Sequence, residues 1–118
     1  MTAEHERRGA LEALDRVLNR GGDADDVLRV VVRVLVELYA FVGIDFIEQG
    51  AVVSGPSLGE RPDDATVLPV AFEAANVANL VVAWPHPEED RAFLERVALL
   101  ISPYCLVGWD TGGERWEP

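Results

Sequence analysis

The sequence predicts one α+β domain, on three observations. Apolar residues recur at helical spacing up to about residue 40, alternate with a period of two from Phe41, and return to helical spacing after Glu88. The length, 118 residues, fits a single unit spanning 1–118. With 49% hydrophobic and 26% charged residues, the chain has the makings of a packed core rather than of a disordered segment.

The elements follow in order. Over residues 3–20, Leu11, Leu14 and Leu18 form one stripe among charges, and Gly21 and Gly22 stop the helix. Asp23 stands as the N-cap of the next helix, with Asp25 and Asp26 in its first turn. That helix, about 26–40, carries one stripe of Val27, Val30, Val31, Val34, Leu35 and Leu38 and another of Leu28, Val32, Val36 and Tyr39. So many valines make a strand the rival reading, but Arg29, Arg33 and Glu37 recur every fourth residue as one polar seam on a helix. A helix with so little polar surface is expected to be buried on two sides.

Residues 41–47 read as a strand, with Val42, Ile44 and Phe46 on one face and Gly43, Asp45 and Ile47 on the other. Gln49 and Gly50 turn the chain into a short strand at 51–54, and 55–64 reads as loop. Residues 66–73 form a third strand, which Pro69 marks as an edge or bulged one. After a turn near Ala75 and Asn76, residues 77–84 form the fourth. Glu88, Glu89 and Asp90 precede a last helix with Phe93, Val97, Leu100, Ile101 and Tyr104 as its stripe. Pro103 is expected to kink or end it, leaving 110–118 as a loose tail.

Charge narrows the partners. Twenty-one acids face 10 bases, all arginine, for a net charge of -11. Such a surface repels phosphate backbones and anionic lipid, so nucleic acid and membrane are not expected partners. The absence of lysine reads as the codon bias of a GC-rich bacterial genome. No signal-like segment opens the chain and no apolar run spans a bilayer, which makes the cytoplasm the default location.

Candidate chemistry is sparse. Cys105 has no second thiol to exchange with and no neighbouring cation in sequence, and reads as a buried small hydrophobe. His5 and His86 lack metal-ligand spacing, and the acid clusters at 23–26 and 88–90 lack the glycine and ligand spacing of a calcium loop. No metal, cofactor or catalytic pair is expected, and the chain does not read as an enzyme.

The order of elements (two helices, a hairpin, a loop, a second hairpin, a closing helix) resembles the GAF domain family. The closing stretch 87–100 looks like that family's final helix. Gly55-Pro56-Ser57-Leu58-Gly59 after the hairpin is similar to a turn in the family's free methionine-R-sulfoxide reductases. The resemblance implies a central antiparallel sheet with the first and last helices on one face. The reductases' cysteines are missing, since Glu60 to Ala65 holds no thiol. The long insertion that roofs the family's ligand pocket is shortened to the residues between Gly59 and Thr66.

Asp45, Ile47, Pro69, Ala71, Val81 and Ala83 would then share the face that forms the pocket floor in ligand-binding relatives. Either this face binds a small molecule or loop 55–65 folds over it. The family often pairs through its first and last helices, and a second helix apolar on two sides gives this chain reason to do likewise, so Leu11, Leu14, Leu18, Leu28, Val32 and Val36 are the expected dimer interface. The leading functional reading is a non-catalytic signalling or regulatory module acting through a homodimer or another protein. A small-molecule sensor is the alternative, and a degenerate sulfoxide reductase-like protein the third reading.

Overall fold

A computed structural model describes the backbone of residues 3–83 and 89–115, and the side chains of 6–83 and 89–105. The elements are α1 (Ala3–Arg20), α2 (Ala24–Leu35), β1 (Val42–Glu48), β2 (Ala51–Leu58), β3 (Thr66–Phe72), β4 (Ala75–Val82) and α3 (Arg91–Arg115). The strands form one antiparallel sheet in the order β2-β1-β4-β3, with the helices on one side.

The helical layer follows from the apolar patterns. α1 ends where Gly21 enters the left-handed region at φ 76° while its N–H still reaches the Val17 carbonyl. Asp23 caps α2 in extended geometry, without a side-chain hydrogen bond of its own. α2 lies against α1 on one side and against β1, β2 and α3 on the others, burying Val27, Leu28, Val31, Val32 and Leu35. The seam of Arg29, Arg33 and Glu37 stays exposed, as a two-sided helix requires. The helix stops at Leu35 rather than near residue 40, and the chain closes in tight turns from Val36 to Tyr39.

α1 stacks on α2 as an outer layer, while α2 and α3 cover the sheet. Two long-range hydrogen bonds tie α1 to α3 and to the residue just before it. Arg7 Nη1 donates to Asp90 Oδ1 at 2.9 Å, and the Tyr104 hydroxyl donates to the Leu18 carbonyl at 3.2 Å.

Three further sequence expectations are corrected. β2 extends to Leu58, taking in Gly55, Pro56 and Ser57, where the sequence predicts loop. A bulge makes this feasible: Gly43 pairs with Ser57 and Asp45 with Ser54, so two residues of β2 face Ile44. Gly55 is required there, because a Cβ would sit 2.5 Å from the Ile44 carbonyl oxygen. Pro56 is tolerated because β2 is an edge strand.

The second hairpin turns at Glu73 and Ala74, with φ of 52° and 71°, so β4 starts at Ala75, ahead of the expected turn. Two residues at positive φ match the turn to the strand twist even without glycine.

Pro103 does not end α3, which runs on to Arg115, so residues 110–115 are helical where a loose tail was expected. Proline cannot donate to the Leu99 carbonyl one turn back, but the Ser102 hydroxyl donates to it at 2.9 Å instead. β3, carrying Pro69, is both an edge strand and bulged, between Val70 and Ala71. Trp84, the expected end of the fourth strand, lies outside the described residues, as do His86 and Glu88.

Candidate functional site

The sheet has two faces and only one is under the helices. Val42, Ile44, Phe46, Val70, Leu80 and Val82 face the helical core, joined by Phe93, Leu94, Val97, Ile101 and Cys105 from α3. Gly43, Asp45 and Ile47 alternate onto the outer face. Cross-strand register there sets Gly43 beside Ser57 and Val81, and Asp45 beside Ser54 and Asn79.

The chain itself covers the middle of that outer face. Phe41, just before β1, packs with Val81, Ala83 and Ala65 in a small second cluster, and the Ala83 N–H donates to the Phe41 carbonyl at 3.0 Å. A Cβ on Gly43 would lie 2.9 Å from Phe41 Cζ and 3.1 Å from Ser57 Cβ, so the Phe41 ring occupies the space that glycine leaves. Beyond β2, Gly59 turns at φ 93° against the Ala40 carbonyl and sends residues 60–65 back across the sheet. From that segment Arg61 Nη1 donates to Asp45 Oδ2 at 3.0 Å. The Asp45 side chain is 9% exposed and that of Arg61 46%, so a buried acid is neutralised by a cation that remains half in water.

Of the residues expected to floor a pocket, Asp45, Val81 and Ala83 therefore come together beneath Phe41, Ala65 and Arg61. Ile47 is half-buried farther along β1. Pro69 and Ala71 are exposed at the β3 edge, where they line a groove of about 280 Å³ with Leu68, Glu95, Ala98 and Leu99 of α3. Sequence alternation assigns neither Phe41 nor Arg61 to this face. One signal pointed to Arg61: it is the only arginine between Arg33 and Arg91.

Of the expected dimer stripe, Leu14, Leu28 and Val32 are buried in the chain's own core, because α2 is the middle layer, while Leu11, Leu18 and Val36 are partly buried against it. What stays open between α1 and α2 is a groove of about 440 Å³ lined by Glu6, Gly9, Ala10, Ala13, Val34, Glu37 and Leu38.

Burial also governs the titratable groups. Cys105 is buried in the core, and the loss of hydration pushes its thiol from 9.0 up to about 12. The Tyr39 hydroxyl is raised as well, by burial first and by the neighbouring Asp90 carboxylate second, although the two are not in good hydrogen-bond geometry. Both groups are neutral when protonated and titrate higher folded than unfolded. Their contribution to stability is complete below the ordinary values and is lost as pH rises through the raised ones. Urea midpoints are accordingly expected to hold up to about pH 9 and to fall progressively towards about pH 12. Cys105→Ala should flatten part of that fall; an identical slope in the variant would contradict the assignment. Among the described residues, no three His, Cys, Asp or Glu side chains cluster as metal ligands, and no helix is long and apolar enough to cross a membrane.

Comparison with solved structures gives the fold. The chain is similar to the GAF domain from Acinetobacter phosphoenolpyruvate-protein phosphotransferase, with a TM-score of 0.66 at 12% sequence identity, over 90% of this chain and 95% of that one. No family model and no curated protein matches the sequence. The chain has the GAF fold, with three helices and a four-stranded antiparallel sheet among the described residues.

Proposed function

We propose that this GAF-fold chain is a non-catalytic regulatory module that acts through contact with a protein rather than by enclosing a small molecule. A GAF fold is at home in signalling or ligand binding, and the outer face supports contact with a protein over an enclosed ligand. The observation that carries the reading is the self-closure of that face: Phe41 lies over Gly43, Ala65 packs against the cluster of Phe41, Val81 and Ala83, and Arg61 pairs with Asp45. A ligand site of the ordinary kind buries most of its ligand in a preformed cavity. Here that space holds the chain's own side chains, and entry requires breaking the Arg61–Asp45 pair and displacing an aromatic ring.

The high pKa of Cys105 fits the same reading, because a thiol near 12 is almost wholly protonated at neutral pH and a poor nucleophile. The net charge of -11 weighs against nucleic acid and anionic membranes as partners.

A thermal-shift panel of nucleotides, amino acids and other metabolites tests the reading. A flat profile is expected for the native chain and for Arg61→Ala alike. A compound that stabilises the native chain and loses its effect in Asp45→Ala would overturn it in favour of a small-molecule sensor.

A further inference from the structure

The two edges of the sheet are defended unequally. At the β3 edge, Pro69 withholds a donor, a bulge falls between Val70 and Ala71, and α3 packs alongside. At the β2 edge only the second half is broken up, by Pro56 and the bulge at Gly55. The first half, residues 51–54, has no proline, bulge or charge. Among the described residues no strand pairs with its outer side. All four of its residues are exposed, Val52 at 60% and Val53 at 40%. No residue from Gln49 to Gly59 is charged, on a chain whose net charge is -11.

We propose that residues 51–54 of β2 are the docking surface for a second copy of this chain, pairing antiparallel about a two-fold axis and joining two sheets into one. The inference rests on the reading of the chain as a protein-contact module and names its partner. Alternate N–H and C=O groups of an edge strand point into solvent and are satisfied by another strand. A segment paired antiparallel with itself is self-complementary, valine meeting valine across the axis. Two copies this acidic repel least where neither presents a charge. A strand this short buries well under the roughly 1,200 Å² of a stable complex, so the dimer is weak and concentration-dependent.

Sedimentation velocity from about 5 to about 500 µM tests it, a range that brackets weak association. The native chain is expected to pass from monomer to dimer, with amide exchange at residues 51–54 slowing as concentration rises. Val52→Lys should raise the dissociation constant at least tenfold, by setting like charges near the axis, without lowering Tm. Leu99→Lys, at a site 66% exposed on α3, should leave the constant unchanged. A monomer at every concentration, or a dimer equally tight in Val52→Lys, would overturn the proposal. The ligand panel decides the underlying reading separately: a monomer with a flat ligand profile removes this inference alone.

Discussion

Gly59→Ala is expected to destabilise the chain by about 3 kcal/mol or more, a large part of the margin of a domain this size. Gly59 sits at φ 93°, which side-chain-bearing residues rarely adopt, so alanine is strained before any contact is considered. Its Cβ would then lie 2.3 Å from the Ala40 carbonyl oxygen and 3.1 Å from Phe41 Cα. Both are backbone atoms, so no side-chain rotation relieves the overlap. The segment before β1 or the turn after β2 has to move, and those two segments close the outer face. A drop in Tm of about 12 °C or more is expected by calorimetry, scaled from the usual few degrees per kcal/mol. A Tm within about 2 °C of the native value would mean that the turn is not held as described.

Leu28→Ala is the second large effect, at about 2–5 kcal/mol. Leu28 is fully buried in α2, the layer that lies between α1 and the sheet. Truncating it removes apolar burial and leaves a cavity that two packed neighbours cannot collapse into. The sequence pattern placed the same residue on a dimer interface, and the two placements predict different outcomes. A core residue lowers the urea midpoint at every protein concentration. An interface residue lowers it only where the dimer is populated, and a concentration-dependent loss would restore the interface assignment.

The difference between those placements shows what a one-dimensional pattern holds. The period of two from Phe41, the four-residue seam of Arg29, Arg33 and Glu37, and Pro69 as an edge marker were legible, because each reflects local geometry. Sidedness was legible as well: α2 carries two apolar stripes and is covered on two sides. What covers each stripe was not, because a stripe looks the same whether another element of the chain or another copy lies on it. The length of β2 was hidden for a different reason. Gly55 and Pro56 punctuate most sequences as turns, and only the Ile44 carbonyl across the ladder reveals a bulge. Pro103 misled in a similar way, since its effect on α3 depends on whether Ser102 takes up the Leu99 carbonyl.

The candidate site was half legible. Alternation put Asp45, Val81 and Ala83 on one face, and the shortened segment after Gly59 raised the question of what covers them. The answer lay in two residues outside the alternating set. Phe41 precedes β1 and folds back over a glycine, and Arg61 reaches across from a segment without regular structure. Contacts of that kind depend on chain reversal rather than periodicity.

Self-closure of the outer face is the central claim, and proton NMR of the native chain tests it most directly. Ring protons of Phe41 should show nuclear Overhauser contacts to the Gly43 α-protons and the Ala65 methyl, with a Gly43 α-proton shifted upfield by the ring. A Phe41 ring without those contacts, and Gly43 α-protons at ordinary strand shifts, would mean that the face stands open and that a ligand site is there to be filled.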